Sequence, residues 1–319
     1  MKKNMIALAV AAAFAAPLVA QAGPDVYGQI NMTYGSTEFG TGSTDAIWTV
    51  KSIASRMGFK GSMDLDGGMK AVYKLEYGVN PDSTTNAGLT SRNQYLGLSA
   101  DWGTVLIGYH DTPTKMSQGK FDQFNDGDGD IVGAVKIAKG DLRVGNVLAF
   151  VSPKYDAFSF IAAAVAGETA ANNGPADTIS VAGMYNANNL YVGLGYDSYA
   201  SDDALLRLTA TYKMDAIMVG AMYEMYDANG GSVGDQDMYA VSGAYTMGKN
   251  KLKAQYVAAT EKGPASTGDA DKYSFSLGVD HKLGDKTTGY AMYNRAQDNN
   301  GSAANTDNTF YGVGLLHKF

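Results

Sequence analysis

The chain has 319 residues, no cysteine and a formal charge of −7, set by 25 Lys and Arg against 32 Asp and Glu. That balance leaves no basic excess to neutralise phosphates, so no nucleic-acid partner is expected. The missing cysteines exclude a disulfide framework and any thiol chemistry.

Residues 1–22 read as an export signal. Lys2 and Lys3 form a charged start, residues 5–19 are an apolar run, and Ala20-Gln21-Ala22 is a small-residue cleavage site. At about 15 residues the run is short of the roughly 20 that a spanning helix needs. Cleavage after Ala22 would begin the mature chain at Gly23 and take the charge from −7 to −9. No later stretch approaches spanning-helix length.

Beyond Gly23 the chain is dominated by period-two alternation. Over 53–64, Ile53, Met57, Phe59 and Met63 share one face, and Arg56, Lys60, Ser62 and Asp64 the other. Over 69–77, Ala71, Tyr73, Leu75 and Tyr77 oppose Lys70, Val72, Lys74 and Glu76. Over 190–196, Leu190, Val192, Leu194 and Tyr196 oppose Tyr191, Gly193 and Gly195. Over 272–283, Tyr273, Phe275, Leu277, Val279, His281 and Leu283 oppose Lys272, Ser274, Ser276, Gly278, Asp280 and Lys282. A helix would scatter these residues, whereas a strand sorts them into one apolar and one wet face. The last strand, 308–319, ends on the aromatic Phe319. In an exported chain this fits an outer-membrane β-barrel, whose last strand must pair with its first so that no backbone edge meets lipid.

The connections alternate in length. Short turns fall near 64–68, 101–103, 153–156, 186–189, 214–215, 248–250 and 284–286. Longer polar loops fall near 36–47, 80–90, 110–141, 167–177, 198–204, 227–237, 261–271 and 297–307. Seven short turns and eight long loops join sixteen strands with both ends on the short-turn side, the asymmetry of outer-membrane barrels. The expected fold is an all-β, 16-stranded antiparallel transmembrane barrel forming one domain, 23–319. Sixteen strands leave an aqueous bore.

Only five arginines are present: Arg56, Arg92, Arg143, Arg207 and Arg295. An arginine facing lipid at mid-depth costs about 2–4 kcal/mol, so Arg56 is expected inside the bore, with Lys60 on its face and Lys74 on the inward face of the next strand.

The chain resembles the general trimeric porins of Gram-negative bacteria, most closely the neisserial and burkholderial branch. The resemblance rests on Asp25-Val-Tyr-Gly28, Ser55-Arg-Met-Gly-Phe-Lys-Gly61, Arg92-Asn-Gln-Tyr-Leu-Gly-Leu98, Trp102-Gly-Thr-Val-Leu-Ile-Gly108, Arg143-Val-Gly-Asn146 with Ser152-Pro153, and Gly314-Leu-Leu-His-Lys-Phe319. It implies a homotrimer in the outer membrane, in contact with lipid and lipopolysaccharide. It also implies passive diffusion of ions and small hydrophilic solutes without a cofactor, and Phe319 as a signal to the barrel-assembly machinery. By the same resemblance Arg56, Arg92 and Arg143 form the basic side of a pore constriction. The longest loop, 110–141, would fold inward and set acids from among Asp111, Asp122, Asp126, Asp128, Asp130 and Asp141 against them, creating a transverse field. The family's acidic loop stretch is only loosely matched by Asp122-Gln-Phe-Asn-Asp126, and Gln29 stands where some relatives carry lysine.

Other signals carry less. Asp126-Gly-Asp-Gly-Asp130 starts like a calcium loop, but Ile131 and Ile137 occupy the glycine and glutamate positions, so no metal site is expected. His110, His281 and His317 are far apart and propose no zinc or hydrolytic site. Tyr239, Tyr273, Tyr290 and Phe310 read as interfacial girdle. Ala162 to Ala166, and Gly97 with Ser99, read as small lipid-side residues suited to packing between barrels. The competing functions are a substrate-specific channel, a barrel protease or phospholipase, and a structural or adhesive barrel. Wall arginines favour anions and loop acids favour cations, so ion selectivity stays open.

Overall fold

The computed structural model describes residues 23–40, 46–83, 88–169, 173–229, 234–262, 269–300 and 306–319. The export signal expected over 1–22 lies outside them. The strands are β1 (Asp25–Phe39), β2 (Ile47–Ser52), β3 (Arg56–Asp64), β4 (Lys70–Gly78), β5 (Thr90–Ala100), β6 (Gly103–Asp111), β7 (Arg143–Val151), β8 (Phe158–Val165) and β9 (Thr178–Ala187). They continue as β10 (Leu190–Ser198), β11 (Ala204–Met214), β12 (Ile217–Asp227), β13 (Gln236–Met247), β14 (Asn250–Glu261), β15 (Ala270–Lys282), β16 (Thr287–Asn300) and β17 (Thr306–Lys318). Each pairs antiparallel with its neighbours, and β17 returns to β1 in a register running from Gln29 opposite Lys318 to Phe39 opposite Asn308. Phe319 extends this seam, exchanging backbone hydrogen bonds with Gly28 at 3.1 and 3.2 Å.

Seventeen segments make sixteen staves because β2 and β3 are two halves of one. Both pair with β1, β2 against Met32–Thr37 and β3 against Asp25–Gln29. Between them Ala54 adopts a left-handed backbone (φ 46°). The buried Ser55 repairs the ladder with its side chain: its hydroxyl accepts from Asn31 N (3.0 Å) and donates to Asn31 O (3.2 Å). Asn31 thus keeps partners for both its backbone groups across the break, and β3 starts with Arg56 turned inward.

The outer surface is apolar, with Val26, Ile30, Val50, Met63, Ile107, Leu148, Leu194, Val219, Val241, Leu277 and Val313 all exposed. Aromatic clusters mark both rims. Tyr34, Trp48 and Tyr311 meet near the long loops, while Trp102, Phe150 and Phe160 meet near the short turns. Tyr239 and the Tyr256–Tyr273 pair also lie outside. Two of the expected girdle aromatics do not. Phe310 is buried on the bore side, lying against Gly35 and Gly312, and Tyr290 lies across Gly314 with its hydroxyl bonded to Asn31 and Thr33. Glycines on the neighbouring strands leave room for each ring to lie flat along the inner wall. Gly97 and Ser99 are also inside, since Leu96 and Leu98 take the lipid side and Ser99 bonds Thr104. Of the alanine run, Ala163 points inward and is buried.

Candidate functional site

The connection 112–142 folds into the bore and runs along its inner wall. It begins with a single helical turn, α1 (Pro113–Met116), capped by the Thr112 side chain, which accepts from Lys115 N at 3.2 Å, with proline at the first position. The turn lies against β8, β9 and β10. Close approach requires glycine there: a Cβ at Gly193 would sit 2.1 Å from Ser117 O. Thr114 then donates to Asp197 (2.6 Å) and Tyr191 to Ser117 O (2.8 Å).

Further along, Phe121, Ile131, Val135, Ile137 and Ala138 of the loop pack on Met222, Met238, Ala240, Val257, Ala259 and Ala296 of the wall. Wall residues that would otherwise face water are apolar because the loop covers them, and each large loop side chain so buried contributes about 1.5–3 kcal/mol. Polar clasps accompany the packing: Ser242 donates to Phe121 O (2.7 Å) and Gln236 to Ile137 O (2.8 Å). At the return, Glu224 bridges wall and loop. Its Oε1 accepts Lys139 N (2.7 Å) and Gly140 N (3.3 Å), and its Oε2 accepts Arg207 Nε (2.7 Å). Both side chains are 0% exposed.

The loop tip reaches the uncovered wall. Arg56 Nη1 lies 3.0 Å from Asp126, and Lys51 Nζ lies 2.8 Å from Asp128. Beside this contact Glu76 is a hub, accepting from Arg92 Nε (2.9 Å) and Tyr27 OH (2.9 Å) with Lys74 Nζ at 3.2 Å. Lys60 and Lys74 stand over the Tyr27 ring at 5.3 and 5.8 Å. A second cluster joins Arg143 to Asp111 (2.9 Å) and Asn93 (3.0 Å), and Lys115 to Asp111 (3.6 Å) and Asp141 (2.9 Å). A bulge in β6 places Asp111 beside Arg143, the register slipping between Gly108 and His110. Gly108 has φ +146°, and a Cβ there would lie 2.2 Å from Gln94 O.

Arg56, Arg92, Arg143, Lys60 and Lys74 therefore gather on one wall, β3 to β7, and Asp126 faces them from the loop. Asp111 does not. It ends β6 on the basic wall itself, where Arg143, Lys115 and Asn93 occupy it. Asp122 is not at the neck either, for its carboxylate is turned against the covered wall. Oδ1 accepts from Phe124 N (2.8 Å) and Gln255 (3.0 Å), and Oδ2 accepts from Ile131 N (3.1 Å). Burial, reinforced by the neighbouring Asp130 charge, pushes its pKa up to about 8. Asp130 is raised as well, by burial and then by Asp141, and it clasps Asp126 N and Val132 N. The three acids of 126–130 thus serve three different partners. Lys51, Glu76 and Lys115 are neck groups that the motifs did not single out. For Glu76 the signal was its place on the polar face of β4.

A closed barrel with a loop pinned across its bore is an open-ended water path with a narrow, charged neck. A family model described as Gram-negative porin matches residues 7–314. The chain belongs to the Gram-negative porin family. This porin is 26% identical to the major outer membrane protein P.IB of Neisseria gonorrhoeae over the whole of both chains. It superposes on the anion-selective porin from Comamonas acidovorans with a TM-score of 0.75 at 19% identity, covering 93% of this chain and 99% of that one. It also superposes on the in-vitro folded trimer form of OmpT, an outer membrane protein of Vibrio cholerae, with a TM-score of 0.71 at 19% identity, covering 93% and 99%. This porin is an outer-membrane channel for passive diffusion of ions and small hydrophilic solutes.

Proposed function

We propose that the neck between the inner loop and the β3–β7 wall sets which solutes pass, and that it favours anions. The observation that carries this is the charge pattern at the neck. Lys51, Arg56, Lys60, Lys74, Arg92, Lys115 and Arg143 meet five acids: Glu76, Asp111, Asp126, Asp128 and Asp141. The surplus is positive, although the chain as a whole carries −7. Asp122 adds little to the acid side near neutral pH, because burial pushes its pKa up to about 8, and Asp130, raised as well by burial, is turned onto the loop's own backbone. Only charges within about a Debye length of the axis, roughly 8 Å at physiological salt, act on a passing ion. Those at the neck therefore outweigh the acids of the outer loops.

Three further assignments belong to this reading. The protein acts as a homotrimer, as the trimer form of its fold neighbour supports, embedded in lipid and lipopolysaccharide. Residues 1–22 direct export and are removed, and Phe319, seated in the closing seam, is what the assembly machinery reads. The bore carries out no chemical conversion. Planar-bilayer recording tests the function. Purified protein should give stepwise currents that scale with KCl and reverse, in a salt gradient, on the anion side. Current that saturates with one solute would instead favour a substrate-specific channel, and absence of steps a structural barrel.

A further inference from the structure

Below the inner loop, within the ring of short turns, the lumen widens into a second cavity of about 390 Å³. Five lysines line it: Lys120 from the loop, Lys213 from β11, Lys249 from the β13–β14 turn, Lys251 from β14 and Lys282 from β15. Its single acid, Asp280, lies 2.9 Å from Lys253. None of the five has an ion-pair partner among the described residues, whereas Lys51, Lys74, Lys115, Lys139 and Lys272 higher in the bore are all paired. Lys213 and Lys251 are partly buried in the wall, so water screens them less than it would a surface lysine. In a chain of net −7, five cations without an ion-pair partner around one half-open cavity concentrate positive field there, with Lys120, Lys249 and Lys282 exposed at its rim and Lys213 and Lys251 set into its wall.

We infer that this lower vestibule is a binding site for small polyvalent organic anions, of the tricarboxylate class. The geometry selects valence and length. From β11 to β15 is four interstrand steps, an arc of about 19 Å. A point-like anion can therefore satisfy one or two ammonium groups, while a solute with several separated carboxylates can reach more of them. The amides of Asn186 and Asn189 and the hydroxyls of Thr211 and Thr246 supply neutral donors between the charges. Lysines on flexible stems hold such a solute without the fixed fork of arginine, which suits binding that must also release. The charge excess at the neck and the one below it would then act in series, the vestibule raising the local concentration of anions at one mouth of the constriction.

Citrate serves as the probe, in 0.1 M KCl so that screening does not hide the site. Calorimetric titration into the detergent-solubilised protein should show saturable binding that acetate does not reproduce. The K213Q/K251Q double variant, with folding checked by β-sheet circular dichroism, should bind about tenfold or more weakly. In bilayers, citrate added on the short-turn side should reduce KCl current at lower concentration than on the loop side. No heat of binding would overturn the inference. So would affinity unchanged in K213Q/K251Q but lost in R56A/R92A, which would place the anion at the neck. The inference relies on the channel reading only for access: protein that conducts without binding citrate refutes the site alone, and protein that binds citrate without conducting refutes the channel alone.

Discussion

Replacing Glu224 by Gln should undock the return of the inner loop. In the folded protein one carboxylate holds two things, Arg207 through Oε2 and the backbone N–H groups of Lys139 and Gly140 through Oε1. Arg207 is entirely buried, and its Nη1 has no hydrogen-bond partner even in the intact site. Removing one partner of such a pair leaves an uncompensated buried charge, at a cost of about 3–5 kcal/mol. Asp141 and Asp197, both near Arg207, offset part of it. The barrel need not unfold to relieve the remainder, because lifting residues 139–141 admits water to the guanidinium. At about 1.4 kcal/mol per tenfold, the docked population should fall by roughly two to three orders of magnitude. Amide exchange read by mass spectrometry should show protection of 137–141 collapse while β11 and β12 stay protected. Single-channel steps should become broader and noisier. The R207M/E224M variant, which replaces the pair by apolar groups of similar length, should restore much of the protection. If E224Q is as protected and quiet as wild type, or if the double variant is as damaged as the single, the latch has been misread.

The pH response should centre on Asp122. It holds its proton to about pH 8 when the loop is docked, whereas an unfolded aspartate releases it near 4. The docked state thus gains stability that is complete below about pH 4 and lost as pH rises through 8. Between pH 6.5 and 9 amide-exchange protection of 121–131 should fall as that carboxyl ionises and the docked loop loosens, and D122N should lack the step. S55A leaves Asn31 N–H without a partner where β2 and β3 meet, so it should destabilise the barrel by about 1–3 kcal/mol in denaturant unfolding. G193V drives a side chain into Ser117 O and should displace α1, raising single-channel conductance without loss of β-sheet signal. Unchanged conductance would mean that the start of the loop does not bound the neck.

Much of the fold could be read in advance because the bilayer imposes two simple patterns: alternation along each strand and a short-long rhythm between them. All seven short turns fall where the sequence placed them. Less legible was what the inner loop does to the wall. Met222, Met238 and Val257 are apolar at positions that face the bore, which alternation alone cannot explain until the loop is seen lying on them. The break at Ala54 carried no glycine to announce it. Phe310 and Tyr290 were misplaced because an aromatic in a barrel strand suggests the girdle, and only the glycines on neighbouring strands show that a ring fits inside. On the basic side the inward turn of Arg56 was legible, since an arginine on a strand with one greasy face has only one affordable direction, whereas Arg92 and Arg143 were expected from the resemblance alone. The acidic side was not. A loop aspartate can face the bore, as Asp126 does, or turn back to bind its own backbone, as Asp122 and Asp130 do, and composition does not distinguish them.

The most direct test is the reversal potential of R56A/R92A beside that of wild type, in the same KCl gradient. Removing both guanidiniums frees Asp126 and leaves Glu76 with Lys74 as its remaining cation, which cancels the positive surplus at the neck. The potential should start on the anion side in wild type and move toward the cation side in the variant. A variant that reverses at the wild-type potential would show that ions are selected elsewhere, and that the wall of β3 to β7 does not govern passage.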